Sequence, residues 1–257
     1  MSALARFRLD GRVALVTGAS SGLGVGFARA LAEAGASVAL AARRVDLAAQ
    51  QARRIEADGG RATAFALDVS DAQSIAAALD AIEAELGSVQ VLVNNAGVAG
   101  SARALDVGAE DWRRVMATNL DGVWSMAQAV ARRLVDRQLP GAIVNIASIL
   151  GERQRTGTAA YATSKAAVVQ LSKSLALEWA RHGIRVNALA PGYITTDLNR
   201  DYLQSEAGQE MINNIPQRRV GSREELAGPL LLLASDAGSF ITGSVLAVDG
   251  GHLVSSL

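Results

Sequence analysis

Cysteine is absent from the 257 residues. Disulfides, thiolate nucleophiles and cysteine-ligated metals are therefore excluded. Histidine occurs only at His182 and His252, far apart in the chain, so no metal site is expected. Basic and acidic residues balance at 25 each. Such a chain has no global field to draw it to nucleic acid or to an anionic membrane. No apolar run reaches membrane-spanning length, and the opening MSALARFRLDGR has no apolar stretch of the signal-peptide kind. The expectation is a cytoplasmic protein. Lysine is also scarce: of 25 basic residues only Lys165 and Lys173 are lysine, the rest arginine. Tyrosine is limited to Tyr161, Tyr193 and Tyr202.

What is present is apolar and regular. Half of the residues are hydrophobic, enough for one sizeable core. Short runs rich in Val, Ile and Leu, at 13–17, 37–41, 62–66, 89–93, 142–147, 185–190 and 245–248, lack in–out alternation. Strands buried on both faces read this way. Segments of helical period fit between them, at 24–34, 46–58, 71–86, 109–138, 159–182 and 223–234. Gly35, Gly59, Gly87 and Gly183 stand where helices should end. This alternation predicts an α/β fold of Rossmann type: a doubly wound, seven-stranded parallel sheet with helices on both faces. One domain spanning 1–257 is expected, with a substrate flap at 192–221, where the strand–helix rhythm breaks.

The first strand runs into Thr17-Gly18-Ala19-Ser20-Ser21-Gly22-Leu23-Gly24. Gly18 permits a tight turn, and Gly22 and Gly24 let phosphates and the next helix approach closely. The free N–H groups of that helix start favour a pyrophosphate. A glycine-rich turn alone is weak evidence, since it can be purely steric.

Tyr161 and Lys165 lie one helical turn apart and share a face. Surface charge in this chain is arginine, so a lysine here is conspicuous. Reducing a carbonyl needs a hydride at carbon and a proton for the developing alkoxide. Free tyrosine is a poor base near neutrality, and a nearby ammonium is expected to lower its pKa toward the working range.

The glycine spacing, Asn94-Asn95-Ala96-Gly97 after the fourth strand, Asn119, Ser148, the Tyr161/Lys165 pair and Pro191-Gly192 follow in the order of the short-chain dehydrogenases/reductases, which the whole chain resembles. The resemblance implies a carbonyl/alcohol oxidoreductase using a nicotinamide cofactor. It makes Tyr161 the general acid/base, Ser148 the hydroxyl that positions the substrate oxygen, and Asn119 the holder of a water that links Lys165 to solvent. It assigns the phosphates to Gly18, Ser20, Ser21, Gly22, Leu23 and Gly24, and the adenine to Asp68 and Val69. Asn94, Asn95, Ala96 and Gly97 become a wall along the cofactor. Tyr161, Lys165, Pro191, Gly192, Ile194 and Thr196 surround the nicotinamide, whose pro-S face is expected to meet substrate.

An NAD enzyme of this type ends its second strand with an acid that binds the adenosine ribose. Here Ala42 holds that place, followed by Arg43 and Arg44. No carboxylate repels a 2′-phosphate, and Arg43 is placed to bind one. NADP(H) is expected over NAD(H); otherwise the two arginines are solvated charges at a helix start.

The substrate pocket is expected from 98–103, 149–158 and 193–215, with Ser148, Leu150, Gln154, Tyr161, Tyr193 and Tyr202 facing it. Arg155 is a candidate for an acidic substrate, although Arg153 and Arg155 read more simply as solvated loop charges. Parts of the chain resemble polyol and sugar-acid dehydrogenases and ketoacyl reductases, without choosing among them. Family members of this length are commonly tetramers, with helices 109–138 and 159–182 paired across a two-fold axis and 250–257 forming a second interface. Trp112, Trp124 and Trp179 lie on those helices, where core burial is the other reading. The alternative function is an NADP(H)-binding sensor or scaffold without turnover.

Overall fold

The structure is a computed structural model that describes residues 2–100, 102–196 and 200–255. Residues 101 and 197–199, which fall in the expected pocket segments, and 256–257 of the expected interface lie outside the described residues. Seven strands, β1 Val13–Thr17, β2 Ser37–Ala42, β3 Arg61–Ala66, β4 Val89–Asn94, β5 Gly141–Ile146, β6 Ile184–Pro191 and β7 Val245–Val248, form one sheet of order β3-β2-β1-β4-β5-β6-β7. Every pairing is parallel.

The helices are α1 Leu23–Glu33, α2 Val45–Ala57, α3 Ala72–Glu85, α4 Ala109–Met116, α5 Gly122–Asp136, α6 Ala159–Trp179, α7 Arg200–Gln204, α8 Glu206–Asn213 and α9 Ala227–Ala234. Successive strand residues point to opposite faces, and both faces are covered. Ala14, Val16, Leu40, Val91 and Val144 pack against Phe27 and Leu31 of α1, Ala52 of α2 and Leu230 of α9. Leu15, Ala39, Leu92 and Ile143 pack against Leu79 of α3, Val130 of α5 and Leu175 of α6. That is why the strands show no alternation in sequence: each position is apolar because each meets a helix layer.

The helix ends follow local chemistry. Asp71 caps α3, its carboxylate accepting from the Gln73 amide at 2.9 Å. The four glycines expected to stop helices all have positive φ, the backbone region glycine enters without steric cost. The helix foreseen over 109–138 runs unbroken to Asp136 but passes through a π turn at Ala117–Asp121 between α4 and α5. The wider turn directs Asn119 inward, and the fully buried side chain hydrogen-bonds the main chain of Val98.

The strand order reverses between β1 and β4, where the connections part in opposite directions. Ligand crevices form at such switch points, beyond the carboxyl ends of the strands. Between β6 and α9 the chain carries two short helices, α7 and α8, and returns beside Ile194 through a single parallel bridge to Gly221. Trp112 and Trp124 are not core residues, being 40% and 39% exposed, whereas Trp179 packs against the core.

Candidate active site

Beyond the ends of β1 to β4 lies a cavity of about 600 Å³. Gly18, Ser20, Ser21, Gly22, Leu23, Arg43, Arg44, Asp68, Val69, Asn95, Ala96 and Gly97 line it. The residues of four separate segments chosen from the sequence therefore converge on one space. Ala42, Leu67, Val98 and Thr118 complete the lining. Thr118 was not foreseen, because only the π turn carries it there.

The glycines are required by close approach. A Cβ on Gly18 meets the Ala96 Cα at 2.8 Å, and one on Gly24 meets the Gly18 carbonyl oxygen at 2.6 Å. Gly24 thus packs behind the loop and does not line the cavity. Thr17 and Asn95 staple the loop to β4. The Asn95 amide and the Ala96 amide each donate to Thr17 Oγ1 at 3.0 Å, and Asn95 Nδ2 donates to the Thr17 carbonyl at 2.8 Å. Asn94 departs from expectation. Its buried Nδ2 donates to Asn145 Oδ1 at 2.9 Å and to the Val123 carbonyl. It joins β4 to β5 inside the sheet and is no part of the cavity wall.

Two guanidinium groups border the cavity with different settings. Arg44 donates to Ser21 Oγ at 3.1 Å and to Ser20 Oγ at 3.4 Å, bridging the end of β2 to the glycine loop. Arg43 lies close enough to Asp68 for its charge to help hold that carboxyl below the usual range, after the larger effect of the Ser70 hydrogen bonds. The sequence favoured Arg43 as the clamp; the structure puts Arg44 against the loop. The ends of β2 and β1 carry cations and hydroxyls and no acid at position 42.

The second cluster surrounds Tyr161 on α6. Lys165 is 4% exposed. Its ammonium donates to the Ile146 carbonyl at 2.7 Å and lies 5.7 Å from the Tyr161 ring centre. Burial pushes its pKa down to about 8. Burial also pushes the Tyr161 phenol up, with Tyr193 adding to the rise and a hydrogen bond with the Ser148 side chain working against it. The lowering expected from Lys165 is therefore not found. The enclosure that brings the ammonium to the ring removes the water that stabilises both charged forms. Ser148 serves twice, since its Oγ also accepts from the Leu150 amide at 3.1 Å and caps the short 3-10 turn at Ile149–Gly151.

Gly97 joins the two clusters: a Cβ placed there stands 3.7 Å from Lys165 Nζ and 3.4 Å from Asn119 Oδ1. Asn119 accepts from the Val98 amide at 2.8 Å and donates to the Val98 carbonyl at 2.9 Å and to Ser164 Oγ at 3.1 Å. Ser164 donates to the Tyr161 carbonyl at 2.7 Å. Ser164 was not singled out from sequence, yet it ties the cavity wall to the helix that carries Tyr161.

Pro191, Gly192, Ile194 and Thr196 stand at and beyond the end of β6, outside the lining of the 600 Å³ cavity. Tyr193 and Ile194 border a separate cavity of about 180 Å³ with Gln217 and Asp249. Gln154 is exposed on the loop after Ile149–Gly151. Arg153 and Arg155 are not free loop charges. Arg153 donates to Ser255 Oγ at 2.7 Å and to the His252 carbonyl, and Arg155 donates to the hydroxyls of Tyr193 and Tyr202, at 3.0 Å each.

Residues 18–252 match the family model described as enoyl-(acyl carrier protein) reductase. Gluconate 5-dehydrogenase of Gluconobacter oxydans is 40% identical over 250 residues, 97% of each chain. D-threitol dehydrogenase of Mycolicibacterium smegmatis is 41% identical over 248 residues, 96% of this chain and 95% of the other. Among solved structures, a gluconate 5-dehydrogenase from Burkholderia cenocepacia in complex with NADP and tartrate superposes with a TM-score of 0.95 at 42% identity, covering 99% of this chain and 100% of that one.

Proposed function

We propose that this chain, which belongs to the short-chain dehydrogenase/reductase family, is an NADP(H)-dependent oxidoreductase that interconverts a secondary alcohol and a carbonyl. One observation carries the reading: the buried Lys165 ammonium lies 5.7 Å from the centre of the Tyr161 ring, on the helix packed against the turn that Ser148 caps, next to the wall of a glycine-floored cavity.

The cavity suits a dinucleotide phosphate. Gly18 lets the loop close against Ala96 and Gly24 lets the start of α1 close against Gly18, and α1 begins at Leu23, which lines the cavity. Arg43, Arg44, Ser20 and Ser21 offer donors for a 2′-phosphate. The related structure with NADP supports the same choice. The chemistry supplied by bound NADP(H) is hydride transfer to or from carbon.

The protein's own groups manage the oxygen. Ser148 donates a hydrogen bond to the substrate oxygen and holds it beside Tyr161. In reduction the phenol, already protonated at neutral pH at its ordinary pKa and pushed further up by burial, gives its proton to that oxygen. In oxidation the deprotonated phenolate takes the proton; the Lys165 ammonium stabilises the phenolate charge that is present before that transfer and that develops in reduction. Asn119 and Ser164 hold the two halves of the site in register.

The relatives named for gluconate and D-threitol support a polyhydroxylated substrate. The protein acts in the cytoplasm as a homotetramer in this reading. The partly exposed Trp124 on α5 and the 84% exposed Leu177 on α6 are apolar surface suited to the expected two-fold contact. No helix among the described residues is long and apolar enough to cross a membrane. The rival reading, cofactor binding without turnover, leaves the buried Lys165 beside Tyr161 without a purpose.

Fluorescence titration with NADPH and NADH, followed by turnover assays on polyols, sugar acids and ketones, tests the proposal. Tighter NADPH binding and turnover that Tyr161→Phe abolishes are expected. Tighter NADH binding overturns the cofactor assignment. Turnover unaffected by Tyr161→Phe overturns the acid/base assignment.

A further inference from the structure

Three cations stand near the Ser148–Tyr161 pair, and two are committed. Lys165 is bonded to the Ile146 carbonyl. Arg153 is bonded to Ser255 and the His252 carbonyl. Arg155 differs. Its two terminal nitrogens donate to the Tyr193 and Tyr202 hydroxyls, at 3.0 Å each. Its guanidinium carbon lies 5.8 Å and 5.2 Å from the two ring centres. Among the described residues no acid is ion-paired with it.

Neutral hydroxyls orient a guanidinium without cancelling its charge. A guanidinium has five N–H donors in a planar fork, and the tyrosines use only part of them. What remains suits a carboxylate, which takes two parallel donors. Location points the same way. Tyr193 follows the end of β6, which pairs with β5 just ahead of Ser148, so Arg155 is held at the same end of the sheet as Ser148. The Tyr193 ring is backed by the His252 ring, with centroids 5.7 Å apart, and His252 is buried. The cation is held between the two phenols.

We infer that Arg155, presented by Tyr193 and Tyr202, binds a carboxylate of the substrate and selects a hydroxy acid or its keto form over a neutral polyol. This rests on the oxidoreductase reading above. The competing role is a latch, in which Arg155 merely pins the α7 segment to the loop before α6. A latch supports every substrate equally; a carboxylate receptor does not.

The test uses NADPH-saturated protein, because reduced cofactor cannot accept a hydride from an alcohol and binding is read without turnover. Hydroxy acids of four to six carbons are titrated beside polyols of the same length, D-gluconate against sorbitol being one pair. At least one acid is expected to outbind its matched polyol by about 10- to 100-fold. Arg155→Ala should remove that advantage while leaving polyol binding within about threefold, and Tyr202→Phe should reduce it. Arg155→Lys should restore part of it. Failure of every acid to outbind its polyol overturns the inference, as does an Arg155→Ala variant that weakens both alike. The parent reading fails by other signs: no NADPH binding, or turnover indifferent to Tyr161→Phe.

Discussion

The Lys165 ammonium lies 5.7 Å from the centre of the Tyr161 ring, and its 2.7 Å hydrogen bond goes to the Ile146 carbonyl. The phenol is protonated at neutral pH even at its ordinary pKa, and burial raises that pKa further, so the form needed for reduction is at hand. Oxidation needs the deprotonated form. The rate of alcohol oxidation should therefore climb from pH 7 toward about 8, where Lys165 begins to lose its charge, while reduction stays level until the phenol itself ionises. Tyr161→Phe should lower turnover by at least about 100-fold in both directions with NADPH affinity nearly unchanged. Oxidation that slows between pH 7 and 8 contradicts this assignment.

The same ammonium carries a cost to stability. The Lys165 pKa is about 8 in the folded chain against an ordinary 10.5, so the unfolded chain binds more protons between those values. Stability from this group rises with pH across that window, and the buried charge is most costly below it. Lys165→Met should abolish activity yet raise stability at pH 7 by about 1–2 kcal/mol, after allowing for the lost hydrogen bond. Its advantage over wild type should shrink as pH approaches 10.5. Denaturant melts at pH 7 and at pH 10 decide the matter.

Arg44 bridges to Ser20 and Ser21, while Arg43 lies toward Asp68. Each single alanine variant should weaken NADPH binding by about 1–3 kcal/mol and leave NADH binding almost unchanged. Arg44→Ala should have the larger effect, since its partners belong to the glycine loop. Equal losses for NADPH and NADH mean that the arginines do not read the 2′-phosphate.

Asn119 satisfies both main-chain groups of Val98 from inside the π turn. Asn119→Ala leaves buried donors and acceptors unpaired, at a cost of about 2–4 kcal/mol. Because Val98 lines the cavity, NADPH affinity should fall together with the melting temperature. Asn119→Asp should recover only part of both, since it keeps an acceptor for the Val98 amide and loses the donor to the Val98 carbonyl. A melting temperature equal to wild type in Asn119→Ala rules out this positioning role.

Much of this was readable in one dimension. The residue types that make β1, β2, β4, β5 and β6 are set by burial on both faces, and burial on both faces leaves an apolar run that any window detects. Gly18 and Gly24 mark close approach because a Cβ does not fit there, and Gly22 marks a positive φ. Tyr161 and Lys165 stand out because a helix puts them on one side and because lysine is so rare here. These properties depend on local geometry and composition, and the amino-acid order by itself determines them.

Other features depend on which segments meet. Asn94 and Asn95 are neighbours of the same type, yet one bonds across the sheet to Asn145 and the other staples the glycine loop, since strand alternation points them apart. Thr118 reaches the cavity, and Asn119 the Val98 loop, only through a π turn that the periodicity of 109–138 did not disclose. Arg155 looked like a loop charge until Tyr193 and Tyr202, distant in sequence, were found on its guanidinium. The direction of the Tyr161 pKa shift was likewise a tertiary matter. Sequence supplies the charge of Lys165, but desolvation depends on everything packed around the phenol, and here desolvation, opposed by the Ser148 side chain, raises the Tyr161 pKa.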